Sequence, residues 1–192
     1  MKWILIAMLA VMAAPQVARA AAPVFSILPD GSSVTFRVKA STPIQGRFDR
    51  WKSSLTFTSA DASTGVLAVD IDATSVDTGS GIKDGTLKSD KFFDVKNHPA
   101  ITFRSTKISQ TGPDTFTVTG NLTIRGVSKP ETLALKANRT GSGGQVTGTM
   151  TFNRKDFGMV GGVPLVKIAD SVDVIVSLKA KRVSGPPVGV KS

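Results

Sequence analysis

A chain of 192 residues, 41% of them hydrophobic, can bury the core of one domain, or at most of two small ones. With no cysteine and a single histidine, it has no disulfide framework and no thiolate metal site, and the residue set argues against zinc. The net charge of +10 and pI near 10.2 attract polyanions, and charges scattered over polar faces also serve solubility.

The N-terminus reads as a cleaved secretory signal over residues 1–20. Lys2 supplies the positive start, and residues 3–14 are almost wholly apolar. Pro15 breaks the run, and Ala18-Arg19-Ala20 places small residues where a signal peptidase needs them, with Ala20-Ala21-Ala22 as a second option. The apolar run is too short to cross ~30 Å of hydrocarbon as a helix. Cleavage near Ala20 or Ala22 with no following cysteine predicts a protein that is soluble after export, in a bacterial periplasm. There the available polyanions are lipid headgroups and polysaccharides, not nucleic acid. The charge leaves room for transient contact with an anionic membrane surface and for a homodimer.

From Val34 onward, alternation with period two dominates, the pattern of strands with one buried face. It appears in Val34-Thr35-Phe36-Arg37-Val38-Lys39, around Ile44 to Phe48, at Leu55 and Phe57, and at Leu67, Val69 and Ile71. It returns at Ile101 and Phe103, at Phe116 through Ile124, at Leu133 to Ala137, at Val146 to Phe152, and at Val172 to Leu178. About eight or nine strands follow, with turns expected at Asp30-Gly31, Thr111-Gly112-Pro113-Asp114, Gly126-Val127-Ser128-Lys129-Pro130 and Gly141-Ser142-Gly143-Gly144. Short loops between sequential strands imply a meander, hence a sandwich or an up-and-down barrel. Residues 75–99 break the rhythm. They predict a helical turn or two around Lys83 to Phe93, with Ile82, Leu87, Phe92 and Phe93 as apolar contributors, serving as a plug or as a lid. Residues 184–192, with Pro186 and Pro187, read as a loose tail.

No catalytic constellation stands out. His98 lies in a loop sequence without a nucleophile-elbow motif. The carboxylates are dispersed, and Asp70 and Asp72 share the polar face of one strand as solvated charges, which leaves a hydrolase with carboxylates at a barrel mouth as the weakest reading. The pairs Asp84/Lys88 and Arg154/Asp156 are candidate ion pairs or headgroup contacts. An outer-membrane barrel would need girdles of Tyr and Trp, whereas this chain has no Tyr and two Trp, and its Lys, Arg and Asp are too many for a narrow lumen. The polar face therefore points to water. An eight-stranded barrel of this kind is either filled by its side chains or holds one small apolar ligand.

Several segments resemble the YceI-like family. They are Ser75-Val76-Asp77-Thr78-Gly79, Lys83-Asp84, Leu87-Lys88-Ser89, Phe92-Phe93-Asp94-Val95, His98-Pro99 and Ile101-Thr102-Phe103-Arg104-Ser105-Thr106. Further along come Val118-Thr119-Gly120-Asn121-Leu122-Thr123-Ile124-Arg125-Gly126-Val127-Ser128-Lys129-Pro130 and Arg154-Lys155-Asp156-Phe157-Gly158. The resemblance covers residues 23–183. It implies an all-β fold, an eight-stranded antiparallel lipocalin-like barrel with a short helical lid and a long apolar tunnel. It also implies a binding protein, not an enzyme, without cofactor or metal, for a polyisoprenoid, an isoprenoid quinone or a fatty acid derivative. Two departures bear on the headgroup: Thr86 stands where many members have His, and Ala40-Ser41-Thr42-Pro43-Ile44 replaces a longer segment. The candidate ligand residues are Phe36, Phe48, Phe103, Leu122, Phe152 and Phe157 along the interior, Leu87 and Phe92 in the lid, and Asp84 and Arg154 at the polar end. The competing expectation is a filled barrel that acts through its basic surface as an envelope interaction module.

Overall fold

The structure is a computed structural model that describes residues 21–162 and 167–190. The expected signal segment, residues 1–20, lies outside the described residues. The strand segments are β1 (Val24–Ala40), β2 (Ile44–Phe48), β3 (Trp51–Thr56), β4 (Val66–Asp72), β5 (Val76–Asp77), β6 (Ala100–Gln110), β7 (Thr115–Ile124), β8 (Val127–Thr140), β9 (Gly143–Asn153) and β10 (Ile168–Ser184). A single α-helix among the described residues, α1 (Gly81–Lys88), sits in the connection between β5 and β6.

All ten segments belong to one antiparallel sheet that closes on itself through β10 and β1. The registers explain why ten segments make eight staves. β2 and β3 both pair with β1, in the same direction, interrupted only at Asp49-Arg50. β4 and β5 pair with β3 and β2 in turn, interrupted by the 3-10 turn Ala73–Ser75. That turn is held by local chemistry: the Thr74 N–H and hydroxyl donate to Asp72 Oδ1 at 2.9 and 2.6 Å. The two long staves bend at these breaks, as a closed barrel requires of strands that run its whole height.

Alternation puts one residue in two inside, and those residues form the core. Val34, Val118 and Phe157 are at most 1% exposed. Two expected turns are placed differently. Asp30-Gly31 is a bulge within β1, where the register against β10 shifts and Gly31 takes φ 85°. Pro130 lies inside β8, not in a turn. It pairs with Asn121 of β7, and the residues of β8 before Ala134 have no ladder partner on β9, so no bond is lost to its missing N–H. The β7–β8 turn is just Arg125-Gly126, with φ 53° and 74°, the two positive angles of a tight hairpin. The helix occupies the earlier part of the segment expected to be helical. The end of the chain, as far as it is described, lies against the barrel. The Gly189 N–H donates to the Ala60 carbonyl at 2.7 Å, and Gly189 bridges to Asp61.

Candidate functional site

The barrel has two ends. The helix end gathers the C-termini of β1, β7 and β9, the N-termini of β6 and β10, and α1. The tail end gathers the opposite termini and residues 185–190.

A cavity of about 110 Å³ lies inside the helix end, with a wholly apolar surface. Its wall includes Phe36, Phe48, Phe103, Leu122 and Phe152 from the barrel, and Leu87 and Phe92 from the helical connection. Phe93, Ile44, Met159, Ile168 and Val172 join them. The phenylalanines are mutually packed: Phe48 lies 5.6 Å from Phe36 and 5.8 Å from Phe93, centroid to centroid, in tilted pairs. Glycine makes room for one of these rings. A Cβ at Gly120 would fall 2.7 Å from Phe103 Cζ and 2.5 Å from the Arg104 carbonyl oxygen, so Phe103 can lie flat across β7.

The connection over this end is tied down through its backbone. Arg125, from the tight turn, donates to the carbonyls of Asp90 and Phe92 at 2.7 and 2.8 Å. The Gly161 N–H donates to the Lys91 carbonyl at 3.1 Å, and the Phe93 N–H to the Leu87 carbonyl at 2.9 Å. Leu87 and Phe92 are thereby aimed inward, while Ile82 on the same helix is 86% exposed.

Phe157 does not line the cavity. It is fully buried and stands edge-on to Phe152 at 5.1 Å, supporting the wall from behind. Asp84 does not line it either. It accepts the Thr78 N–H and hydroxyl at 2.8 and 2.7 Å, organising the loop before α1, and Lys88 is not its partner. Arg154 does reach the cavity wall, but four of its five N–H donors are already engaged. Nε donates to the Ala169 carbonyl, Nη1 to the Met159 and Gly161 carbonyls, and Nη2 to Asp170 at 3.0 Å. Its ion-pair partner is thus Asp170, not Asp156, and Asp170 also accepts from Lys155 at 2.8 Å. The Lys155 hydrogen bond, ahead of the nearby charges, holds the Asp170 carboxyl below the usual range. Glu131 on β8 is pushed above it, by burial first and by the negative charge of Asp156 second. Asp70 and Asp72 are paired on the outer face with Arg104 and Arg50. His98 is 3.9 Å from Asp94 in a loop.

The interior is not a single tunnel. Leu67, Val118 and Leu178 are buried and line neither this cavity nor the one at the tail end. A Cβ at Gly148 would stand 2.7 Å from Leu135 Cδ2 and 3.0 Å from Leu133 Cδ1, so both leucines fold over that glycine. Together these side chains form a waist between the cavity at the helix end and a second cavity at the tail end.

A closed antiparallel barrel, apolar within, charged without and covered at one end by a helical connection, is the architecture of a lipocalin-like binding protein. The chain belongs to the YceI-like family: a YceI-like domain matches residues 25–180. A UPF0312 protein of Pseudomonas aeruginosa is 33% identical over 157 residues, 78% of this chain and 81% of that protein. A UPF0312 protein of Azotobacter vinelandii is 32% identical over 145 residues, 72% and 74% of the two chains. Among solved structures, BcnA of Burkholderia cenocepacia matches with TM-score 0.74 and 26% identity, covering 80% of this chain and 99% of that one. A polyisoprenoid binding domain of Saccharophagus degradans, implicated in plant cell wall breakdown, shares the fold with TM-score 0.62 at 17% identity, covering 83% and 99%.

Proposed function

We propose that this protein is a periplasmic carrier or store for a long-chain amphiphile, a polyisoprenoid, an isoprenoid quinone or a fatty acid derivative, and that it acts by binding and not by turnover. One observation carries the reading: the cavity at the helix end is wholly apolar, inside a barrel whose outer face is charged. The polyisoprenoid binding domain of Saccharophagus degradans, which has the same fold, supports it. So does the signal-like N-terminus, which accounts for export to the periplasm.

The hydrocarbon enters beneath Leu87, Phe92 and Phe93, and its polar head stays at the mouth. Each methylene moved from water into such a wall contributes about 0.8 kcal/mol before ordering costs are subtracted. The wall exposes no polar surface, and Arg154 behind it is held by backbone carbonyls and Asp170. It therefore selects on shape and length of the chain.

Uptake of an isoprenoid quinone, followed by quenching of tryptophan fluorescence, tests this. The wild-type protein is expected to saturate with the quinone. Leu87→Asp places a carboxylate on the apolar wall from a half-buried helix position and is expected to weaken binding by about tenfold or more. No saturation by the wild type, or unchanged affinity in folded Leu87→Asp, would overturn the proposal.

A further inference from the structure

The tail end of the barrel contains a cavity of about 180 Å³, larger than the one under the helix. Phe25, Phe57, Phe116, Leu135, Val146 and Ala180 line it. The waist of Leu67, Val118 and Leu178 separates it from the cavity at the helix end. Its rim differs in kind. On β8, the inward positions run Leu133, Leu135, Ala137, and the next is Arg139. On β10 they run Leu178, Ala180, and the next is Arg182. Alternation thus points two guanidinium groups toward the mouth of an apolar cavity, and both line it. Neither is paired with a carboxylate among the described residues. Arg182 donates to the Gly185 carbonyl, and Arg139 makes no side-chain hydrogen bond among them.

The chain beyond the family match covers this mouth. Gly185 turns with φ 77°, and Pro187 and Val188 lie on the cavity wall. Gly189 fastens the strap to Ala60 and Asp61. Among the described residues, the strap beyond Gly185 is held to the barrel backbone at Gly189, outside the barrel ladder, so it can lift without disturbing that ladder.

We propose that the tail end is a second binding site, independent of the helix end, for a small amphiphile with an apolar tail and an anionic head. The tail occupies the space between Phe57, Phe116 and Leu135. The head, a carboxylate or a phosphate, is held by Arg139 and Arg182. Residues 185–190 close over it. Charged hydrogen bonds from two guanidinium groups give the site its preference for an anion over a neutral head.

Three probes of equal tail length test this on the full mature chain: decanoate, decyl phosphate and decanol. Amide shift mapping is expected to place decanoate at Phe116, Ala137, Gly144 and Ala180. The double variant Arg139→Gln/Arg182→Gln, which changes only rim residues, is expected to weaken both anionic probes by about tenfold or more and leave decanol within about twofold. The Lys/Lys variant is expected to restore most of the anion affinity. Tighter binding of one anion than the other identifies the head. A chain ending at Ser184 is expected to release decanoate faster. Shifts confined to Leu122, Met150 and Val172, unchanged anion affinity in the Gln/Gln variant, or no recovery of anion affinity in the Lys/Lys variant would overturn the proposal. Quinone uptake at the helix end is expected to be unaffected in every one of these variants, so the two sites fail or stand separately.

Discussion

Arg154 is 7% exposed and carries a full charge at the edge of an apolar cavity, a position that ordinarily costs several kcal/mol. Its planar fork is satisfied by three backbone carbonyls and one carboxylate, which removes that cost and pins the residues after the 3-10 turn Arg154–Phe157 to the start of β10. Met would fill the same space but leave those carbonyls without donors. Arg154→Met is therefore expected to destabilise the fold by about 3 kcal/mol, seen as a lower urea midpoint at unchanged slope. A change under about 0.5 kcal/mol would mean that water replaces the guanidinium at no loss. The sequence leaves Arg154 as either a structural ion pair or a headgroup contact. What assigns it to structure is the chain's return at Met159, Gly161 and Ala169, a long-range arrangement that spacing does not reveal.

At the scale of elements, the connection from α1 to β6 is the part whose chemistry differs most from the rest. It packs Phe92, Phe93 and Val95 on the barrel and is also held by backbone-directed hydrogen bonds, two of them from Arg125. Arg125 itself sits at φ 53°, a geometry imposed by the two-residue hairpin between β7 and β8. The hairpin and the helical connection are thus linked. Arg125→Ala is expected to leave the barrel amides protected, to speed hydrogen exchange at Leu87 to Phe93 by about fivefold to tenfold, and to quicken release of a bound quinone. Unchanged exchange there would show that the Gly161 and Leu87 backbone bonds suffice. Most of the strands were legible from period two, because a water-facing sheet must alternate. Their ends were less so. β6 shifts register between Ser105 and Lys107, which brings Ile108 inside although simple alternation from Phe103 would put it outside. Pro130 reads as a turn residue until the missing β9 partner is seen. Phe93 was visible as an apolar residue of the helical connection, but only the packing against Phe48 places it on the cavity wall.

For the whole molecule, alternation tells which side chains face inward and nothing about whether they fill the space. Leu122, Phe103 and Phe152 could be identified as interior residues from the sequence, and so could Phe157, yet the first three line a cavity and the last supports it. The cavity at the tail end was hidden for a second reason. Its rim is built from Arg139, Gly143, Gly144 and Arg182, residues that look like a polar strand end and a turn until closure of the sheet brings them to one mouth. The waist matters in the same way. Small Gly148 allows Leu133 and Leu135 to close the bore, so the molecule holds two short compartments where the family resemblance implied one long tunnel. A long isoprenoid must then remain partly outside the helix end or push the waist apart.

The barrel is proposed to carry an amphiphile. Native mass spectrometry of the protein purified from its own host, followed by organic extraction, tests this most directly. The expected result is a mass increment that survives gentle ionisation, is lost on extraction, and is recovered in the organic phase as an amphiphile with a long hydrocarbon chain. Repeated recovery of the bare polypeptide mass, with no uptake of added isoprenoid quinone, would contradict it and leave a filled barrel that works through its basic surface.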